Sequence, residues 1–321
     1  MFRSSYVYPR SFSMNLPNSV YISRSRQRPM IMMDICTIGY LKNRVSIYNN
    51  GDVRSKERVS QLTCLAQSGE YQFSFLTAII EKGTDFEHRL SADELVKAFL
   101  NDYDQIKDVI GVENLFETPE FLATIIPTLV DTRYGIEERA ELSIPASLAL
   151  LEYFNTLSIV STPSQTDRFE RAQEVASKGE ALGLQKGYPT ITICVASIYG
   201  CRDARLTLKI RKDGKERNGS KFNPSNRLGD IMSFYRLAMA RHKVNSVLPL
   251  VQVIYRTEDE GLENLHQYLH TRVTGENEDN GTLMNTTCTA PDRLFPELYR
   301  HGKCTNEHEL KKLYELLAFQ E

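Results

Sequence analysis

The chain has 321 residues, 41% hydrophobic and 25% charged, with 39 basic against 41 acidic side chains and a net charge of −2. That length can bury a sizeable core, in one large domain or in a compact domain with a substantial insertion. The near-neutral balance excludes nucleic-acid binding by bulk charge, so any such surface must be local.

The six cysteines include no C-x-x-C pair. This gives no ground for a zinc site or a disulfide framework and matches cytosolic usage. No stretch approaches the roughly 18 apolar residues of a spanning helix. A cytoplasmic protein with no membrane partner is therefore expected.

In chain order, residues 1–29 come first, with Arg3, Arg10, Arg24, Arg26 and Arg28 and no Asp or Glu. They read as a basic flexible arm or an over-extended start upstream of Met30. Pro9, Pro17 and Pro29 break the amphipathic helix that a transit peptide requires. The apolar run Met30 to Met33 reads as a buried strand, closed by Asp34 and opening into a helix. A helix is expected at about 55–68. Phe73 to Ile80 is apolar enough to be core strand or core helix, and it ends at Glu81. Ser91-Ala92-Asp93-Glu94 is a capping box opening an amphipathic helix through Leu95, Phe99 and Tyr103.

Further helices are expected at about 118–131, 144–158 and 166–182. Ile191 to Tyr199 reads as a core helix ending at Gly200. Leu206 to Ile210 is short and β-like, and a long polar connection follows over 211–229. Asp230 is expected at the N-terminal edge of a helix running through Ile231 to Ala240. Leu248 to Tyr255 is β-rich, with Asp259 just after it, and Glu307 to Phe319 is an amphipathic helix. Helices dominate and separate the strand candidates, which favours an α/β fold with a small parallel sheet.

Asp34, Glu81, Asp230 and Asp259 thus fall where elements end or begin. In open parallel sheets, ligands collect outside the carboxyl ends of the strands. Carboxylates from separate segments suit Mg²⁺ or Mn²⁺, hard cations that take one or two carboxylates plus water and substrate phosphate. Two such ions, about 3.5–4 Å apart, support phosphodiester hydrolysis. Bland alternatives remain: a helix-dipole or cap role for Asp230 and a solvated turn for Glu258 and Asp259. For Asp34 and Glu81 an unpaired carboxylate beside buried apolar runs is costly.

Lys209, Arg211, Lys212, Lys215, Arg217, Lys221 and Arg227 form a basic strip before the third acid. Together with Arg256 it would hold phosphates without reading sequence. A hydrated loop is the alternative reading. No Gly-rich phosphate loop and no Ser or Cys nucleophile motif appears. His266 and His270 read as an exposed helix face.

Taken together, Ile31 to Asp34, Ser74 to Glu81, Asn226 to Asp230 and Val251 to Leu262 resemble the PIN-like nucleases. The resemblance implies a metal-dependent ribonuclease of toxin or defence type. It assigns Asp34, Glu81, Asp230 and Asp259 as the catalytic metal ligands, RNA as substrate, and an inhibitory or activating protein partner. About 150 residues separate Glu81 from Asp230, more than a minimal PIN domain has. A helical insertion is therefore expected at about 84–225 within a PIN-like domain spanning 30–270, followed by a C-terminal loop and amphipathic helix over 271–321. The spacing also makes Asp203 a rival for the third acid. A non-catalytic interaction or regulatory module with a degenerate PIN-like core is the alternative function.

Overall fold

The computed structural model describes residues 2–8, 28–83, 85, 88–137, 143–209, 221–276 and 282–319. Their contacts group the chain into two compact units, one of Phe12–Gly135 with Met239–Glu258, the other of Met1–Ser11, Ile136–Ala238 and Asp259–Glu321. This grouping does not follow the boundaries read from the sequence at residues 29 and 270.

The strands used below are β1 (Phe2–Tyr8), β2 (Met30–Met33), β3 (Gln72–Ser74), β4 (Val253–Arg256), β5 (Leu269–Glu276) and β6 (Thr282–Cys288). The helices of the first half are α1 (Ile35–Lys42), α2 (Arg44–Asn50), α3 (Val53–Gln67), α4 (Leu76–Gly83), α5 (Ala92–Ile110) and α6 (Pro119–Glu137). After them come α7 (Ser143–Thr156), α8 (Gln165–Ala181), α9 (Pro189–Ile198), α10 (Arg202–Leu208), α11 (Pro224–Val247) and α12 (Glu260–Tyr268). A four-residue helix α13 (Pro291–Leu294) and α14 (Glu307–Leu316) complete the set.

The first unit is built on a parallel sheet of order β3-β2-β4. All four residues of β2 are buried, as a central parallel strand covered on both faces requires. β4 pairs with β2 from Met30↔Val253 to Met33↔Arg256, and β3 from Met30↔Gln72 to Met32↔Ser74. The strand ending at Asp34 and the strand around Tyr255 are thus neighbours in the small parallel sheet that the sequence favours. On the far side of β3, Leu115 makes a parallel bridge to Phe73, and Phe116 N donates to Phe73 O at 2.9 Å. Asp34 N-caps α1, and the Ser91–Glu94 capping box opens α5 as the sequence predicts.

Four local readings change. The apolar run Phe73 to Ile80 is neither all strand nor all helix: β3 stops at Ser74 and α4 starts at Leu76. Leu206 to Leu208, read as β-like, is the last turn of α10, closed by Lys209 in the left-handed conformation at φ 50°. Burial of Ala204, Thr207 and Leu208 against the rest of their unit outweighs the weak local preference of so short a run. Asp230 is not at a helix edge, because α11 already begins at Pro224. The 1–29 segment is not wholly an arm. β1 pairs antiparallel with β6, from Phe2↔Cys288 to Tyr8↔Thr282, and Arg28 donates to Gly69 O, Asn114 Oδ1 and Glu113 O at 3.0, 2.6 and 2.8 Å.

The second unit packs helices with the antiparallel sheet β1-β6-β5, a hairpin and strand absent from the sequence reading. β5 and β6 are rich in threonine, with two and three of them respectively. Thr271 and Thr286 are buried, with their hydroxyls 2.9 Å apart across the β5–β6 pair.

Candidate active site

In the first unit, β2, β3 and β4 point their carboxyl ends the same way, and Asp34 and Glu258 follow the ends of β2 and β4. Asp34 follows β2 directly and is 3% exposed. One carboxylate oxygen accepts the Thr37 N–H at 2.6 Å, and the hydroxyl of Thr257, one residue beyond β4, bonds to it as well. The backbone closes the same junction: Asp34 N donates to Arg256 O at 3.2 Å, and Thr37 Oγ1 to the same carbonyl at 2.9 Å. Burial raises the Asp34 carboxyl to about 6, with the Glu258 carboxylate adding a smaller push upward. Among the described residues no cation is a partner of Asp34.

Glu81 comes from the last turn of α4 and brings Oε2 to 3.5 Å from Ile35 N, at the first residue of α1. Two of the four acids assigned by the resemblance, Asp34 and Glu81, therefore meet at one helix start. Apolar burial sets this up: Leu76 to Ile80 are all buried, so the half-exposed Glu81 is the first residue of α4 released from the core.

Two more buried carboxylates in this unit had been passed over or read as a turn. Glu258 is not a solvated turn residue: its side chain is 0% exposed and is held by Arg58 Nη1 at 2.8 Å and Arg256 Nε at 2.8 Å. Arg256 is thereby committed to Glu258 rather than offered freely to a phosphate. Glu117, 2% exposed, accepts Ser74 Oγ at 2.5 Å and Phe75 N at 3.0 Å, and burial raises its carboxyl to about 7. Nothing local marked Glu117 in the sequence. It stands in a connection whose neighbours Leu115 and Phe116 become sheet-like by pairing with distant Phe73.

The other unit holds Asp230 and Asp259. Asp230 is half-buried in α11, where its carbonyl accepts Ser233 Oγ at 2.6 Å. Ser233 Oγ also lies 2.8 Å from His266 Nε2, and the His266 ring stacks on Phe234 at 4.1 Å between centroids. His266 is therefore packed rather than on an exposed face, and His270 falls in β5, not on the same helix. Asp259 is the N-cap of α12, accepting Leu262 N at 3.1 Å, and lies 3.5 Å from Lys209 Nζ. The rival Asp203 is buried in α10 and has both oxygens engaged, by Asn264 Nδ2 at 3.0 Å and Tyr268 OH at 2.9 Å. These bonds tie α10 to α12 and explain Asp203 as a structural acid.

Arg211, Lys212, Lys215 and Arg217 lie outside the described residues. Of the strip's remainder, Lys209 and Lys221 are exposed, whereas Arg227 is 2% exposed and cannot meet a phosphate at the surface. Among the described residues no group of three His, Cys, Asp or Glu side chains stands close enough to hold a metal. No helix among them is long and apolar enough to cross a membrane. No protein-family model, curated protein or solved structure matches the chain.

Proposed function

We propose that the chain is a divalent-metal-dependent phosphodiesterase of the PIN-like type, acting on RNA. The observation that carries the reading is Asp34: a buried carboxylate at the carboxyl edge of a parallel sheet, itself without a cation partner among the described residues, with Glu81 brought to the adjacent helix start. Burial without a cation does not by itself mark a site, since Glu117 and Asp203 are structural acids of that kind. Asp34 stands apart by its place at the carboxyl end of the central strand with a second carboxylate, Glu81, at the adjacent helix start. The hard oxygen donors of Asp34 and Glu81 fit Mg²⁺ or Mn²⁺, which need no more than one or two carboxylates from the protein. Held by Asp34 and Glu81, such an ion would supply an activated water and neutralise charge on the phosphate.

Within that chemistry the chain's own groups hold positions. Thr37 and Thr257 orient Asp34, and the Arg58–Glu258–Arg256 network fixes the end of β4 from which Thr257 projects. The resemblance also assigns Asp230 and Asp259 as ligands and the Lys209–Lys221 strip as phosphate contacts; these belong to the other unit, and the proposed site rests on Asp34 and Glu81 alone. A toxin or defence role under a protein partner belongs to the same proposal. The test is RNA cleavage with Mg²⁺ or Mn²⁺ by the wild type, Asp34→Asn and Glu81→Gln. Each substitution is expected to lower the rate about 100-fold or more, the scale of removing metal-borne charge stabilisation. Cleavage undiminished in both variants would overturn the assignment. A folded wild type that binds Mn²⁺ nowhere and cleaves no RNA would leave the non-catalytic module.

A further inference from the structure

We propose that Glu117 is a positioning residue for Glu81, acting through the junction between β3 and α4. The functional half of this inference rests on the reading of Glu81 as a metal ligand; the structural half does not.

The argument starts from what α4 lacks. Its first N–H groups need acceptors, and the turn between Ser74 and Leu76 is too short to supply a long capping side chain. Ser74 covers one of them, its Oγ accepting Leu76 N at 3.2 Å. Glu117 comes from 43 residues away in sequence and braces this cap, accepting Ser74 Oγ on Oε1 and, on Oε2, the N–H of Phe75, the residue before α4. The backbone beside it is fixed as well, since Leu115 and Phe116 run parallel to β3 at Phe73. One carboxylate thus joins three things: the end of β3, the start of α4 and the outer edge of the sheet.

Glu81 lies on the last turns of the same eight-residue helix, so the direction in which α4 leaves the sheet sets where its carboxylate falls beside Ile35. Among the described residues the groups facing Glu117 are the Ser74 hydroxyl and the backbone N–H groups of Phe75, Leu76 and its own residue, with no charged side chain. A buried carboxylate without a cation is a costly way to cap a helix, and its desolvation shows in the raised carboxyl. Serine alone at position 74 would have capped the helix at less cost. The extra acid adds rigidity to the junction, which a ligand-bearing helix needs: misplacement by ~1 Å lowers rates by about 100-fold.

Two variants of the full chain test this, Glu117→Ala and Ser74→Ala, with Glu117→Gln as the conservative replacement that keeps an acceptor for Phe75 N–H. Amide hydrogen exchange reads the junction without any assumption about function. The Phe75 amide and those of α4 are expected to exchange about tenfold faster in Glu117→Ala, and less so in Ser74→Ala, while α5 keeps its protection and Glu117→Gln stays near wild type. Mn²⁺ affinity of the folded protein reads the functional half, with a loss of about tenfold in Glu117→Ala and recovery in Glu117→Gln, the scale of partners that orient ligands.

Unchanged exchange at Phe75 and α4 in both Glu117→Ala and Ser74→Ala overturns the clamp. Faster exchange with unaltered Mn²⁺ affinity overturns the positioning role and leaves a structural cap. A wild type that binds no Mn²⁺ refutes the metal-site reading itself, and the exchange arm still decides the clamp. Should Glu117→Ala fail to fold, Ser74→Ala and Glu117→Gln carry both measurements.

Discussion

Asp34 and Glu258 show how differently two buried carboxylates can be treated within a few residues of the same sheet edge. Glu258 is neutralised by Arg58 and Arg256, so removing either arginine leaves a buried charge partly uncompensated and destabilises the unit by about 1–3 kcal/mol. Asp34 has hydroxyl and backbone donors but no cation, and burial lifts its carboxyl from 3.8 to about 6. Between those values the folded state keeps a proton that the unfolded chain has released. The contribution of Asp34 to stability is therefore full below pH ~3.8 and declines as pH rises to about 6. Asp34→Asn removes the ionisation and keeps a good N-cap for α1. In chelator at pH 7.5 this variant should melt at the same temperature as the wild type or higher, by at most about 3 kcal/mol of stability. The difference should vanish near pH 3.5, and metal-dependent cleavage should be lost at pH 7.5. Thermal unfolding at both pH values beside an RNA cleavage assay decides it: a lower melting temperature with cleavage kept would remove Asp34 from the site.

At the scale of elements, α12 separates capping from ligation. Asp259 accepts the Leu262 N–H as N-cap, a task that asparagine performs about as well and alanine does not. If capping is its whole role, Asp259→Asn is silent and Asp259→Ala costs ~1 kcal/mol in denaturant unfolding. The ligand role that the resemblance assigns to Asp259 predicts more: Asp259→Asn should fold as stably as the wild type yet cleave RNA at least about tenfold more slowly. Equal cleavage rates for wild type and Asp259→Asn would make Asp259 a cap alone. The same helix shows why Asp203 is not a free acid. A Cβ at Gly261 would stand 2.9 Å from both Asp203 O and Leu206 Cβ, so α10 and α12 pack with almost no space between their backbones. Asn264 and Tyr268, on this helix, reach both Asp203 oxygens because of that closeness.

For the whole molecule, net charge of −2 leaves any affinity for RNA to local cations. Neutralising Lys212, Lys215 and Lys221 together should reduce the slope of log affinity against log salt by up to about 2, near 0.7 for each contact to a single strand. Binding titrations at several salt concentrations measure this, and an unchanged slope would make the strip a hydrated loop. Arg227 and Arg256 do not belong in that set. One is buried and the other is bonded to Glu258, facts that no count of basic residues along the chain can supply.

What the sequence determined by itself is what local physics decides. The all-apolar β2 run, the Ser91–Glu94 capping box, the amphipathic spacing of α5 and the sheet's parallel pairing follow from periodicity, cap chemistry and strands separated by helices. Asp34 was legible for the same reason, a polar residue closing a buried strand. Where a signal was short or shared between two states, local preference was outvoted: Leu206 to Leu208 became helix by burial, and Phe73 to Ile80 divided at Ser74. The tertiary structure alone decided matters that depend on partners far away in sequence. β1 exists because β6 offers it a ladder. Glu258 is structural because Arg58 lies 200 residues from it in the chain and against it in space. Glu117 caps a helix that it never adjoins in the sequence. In each case the energy lies in a long-range bond or in desolvation, and neither leaves a periodic trace along the chain.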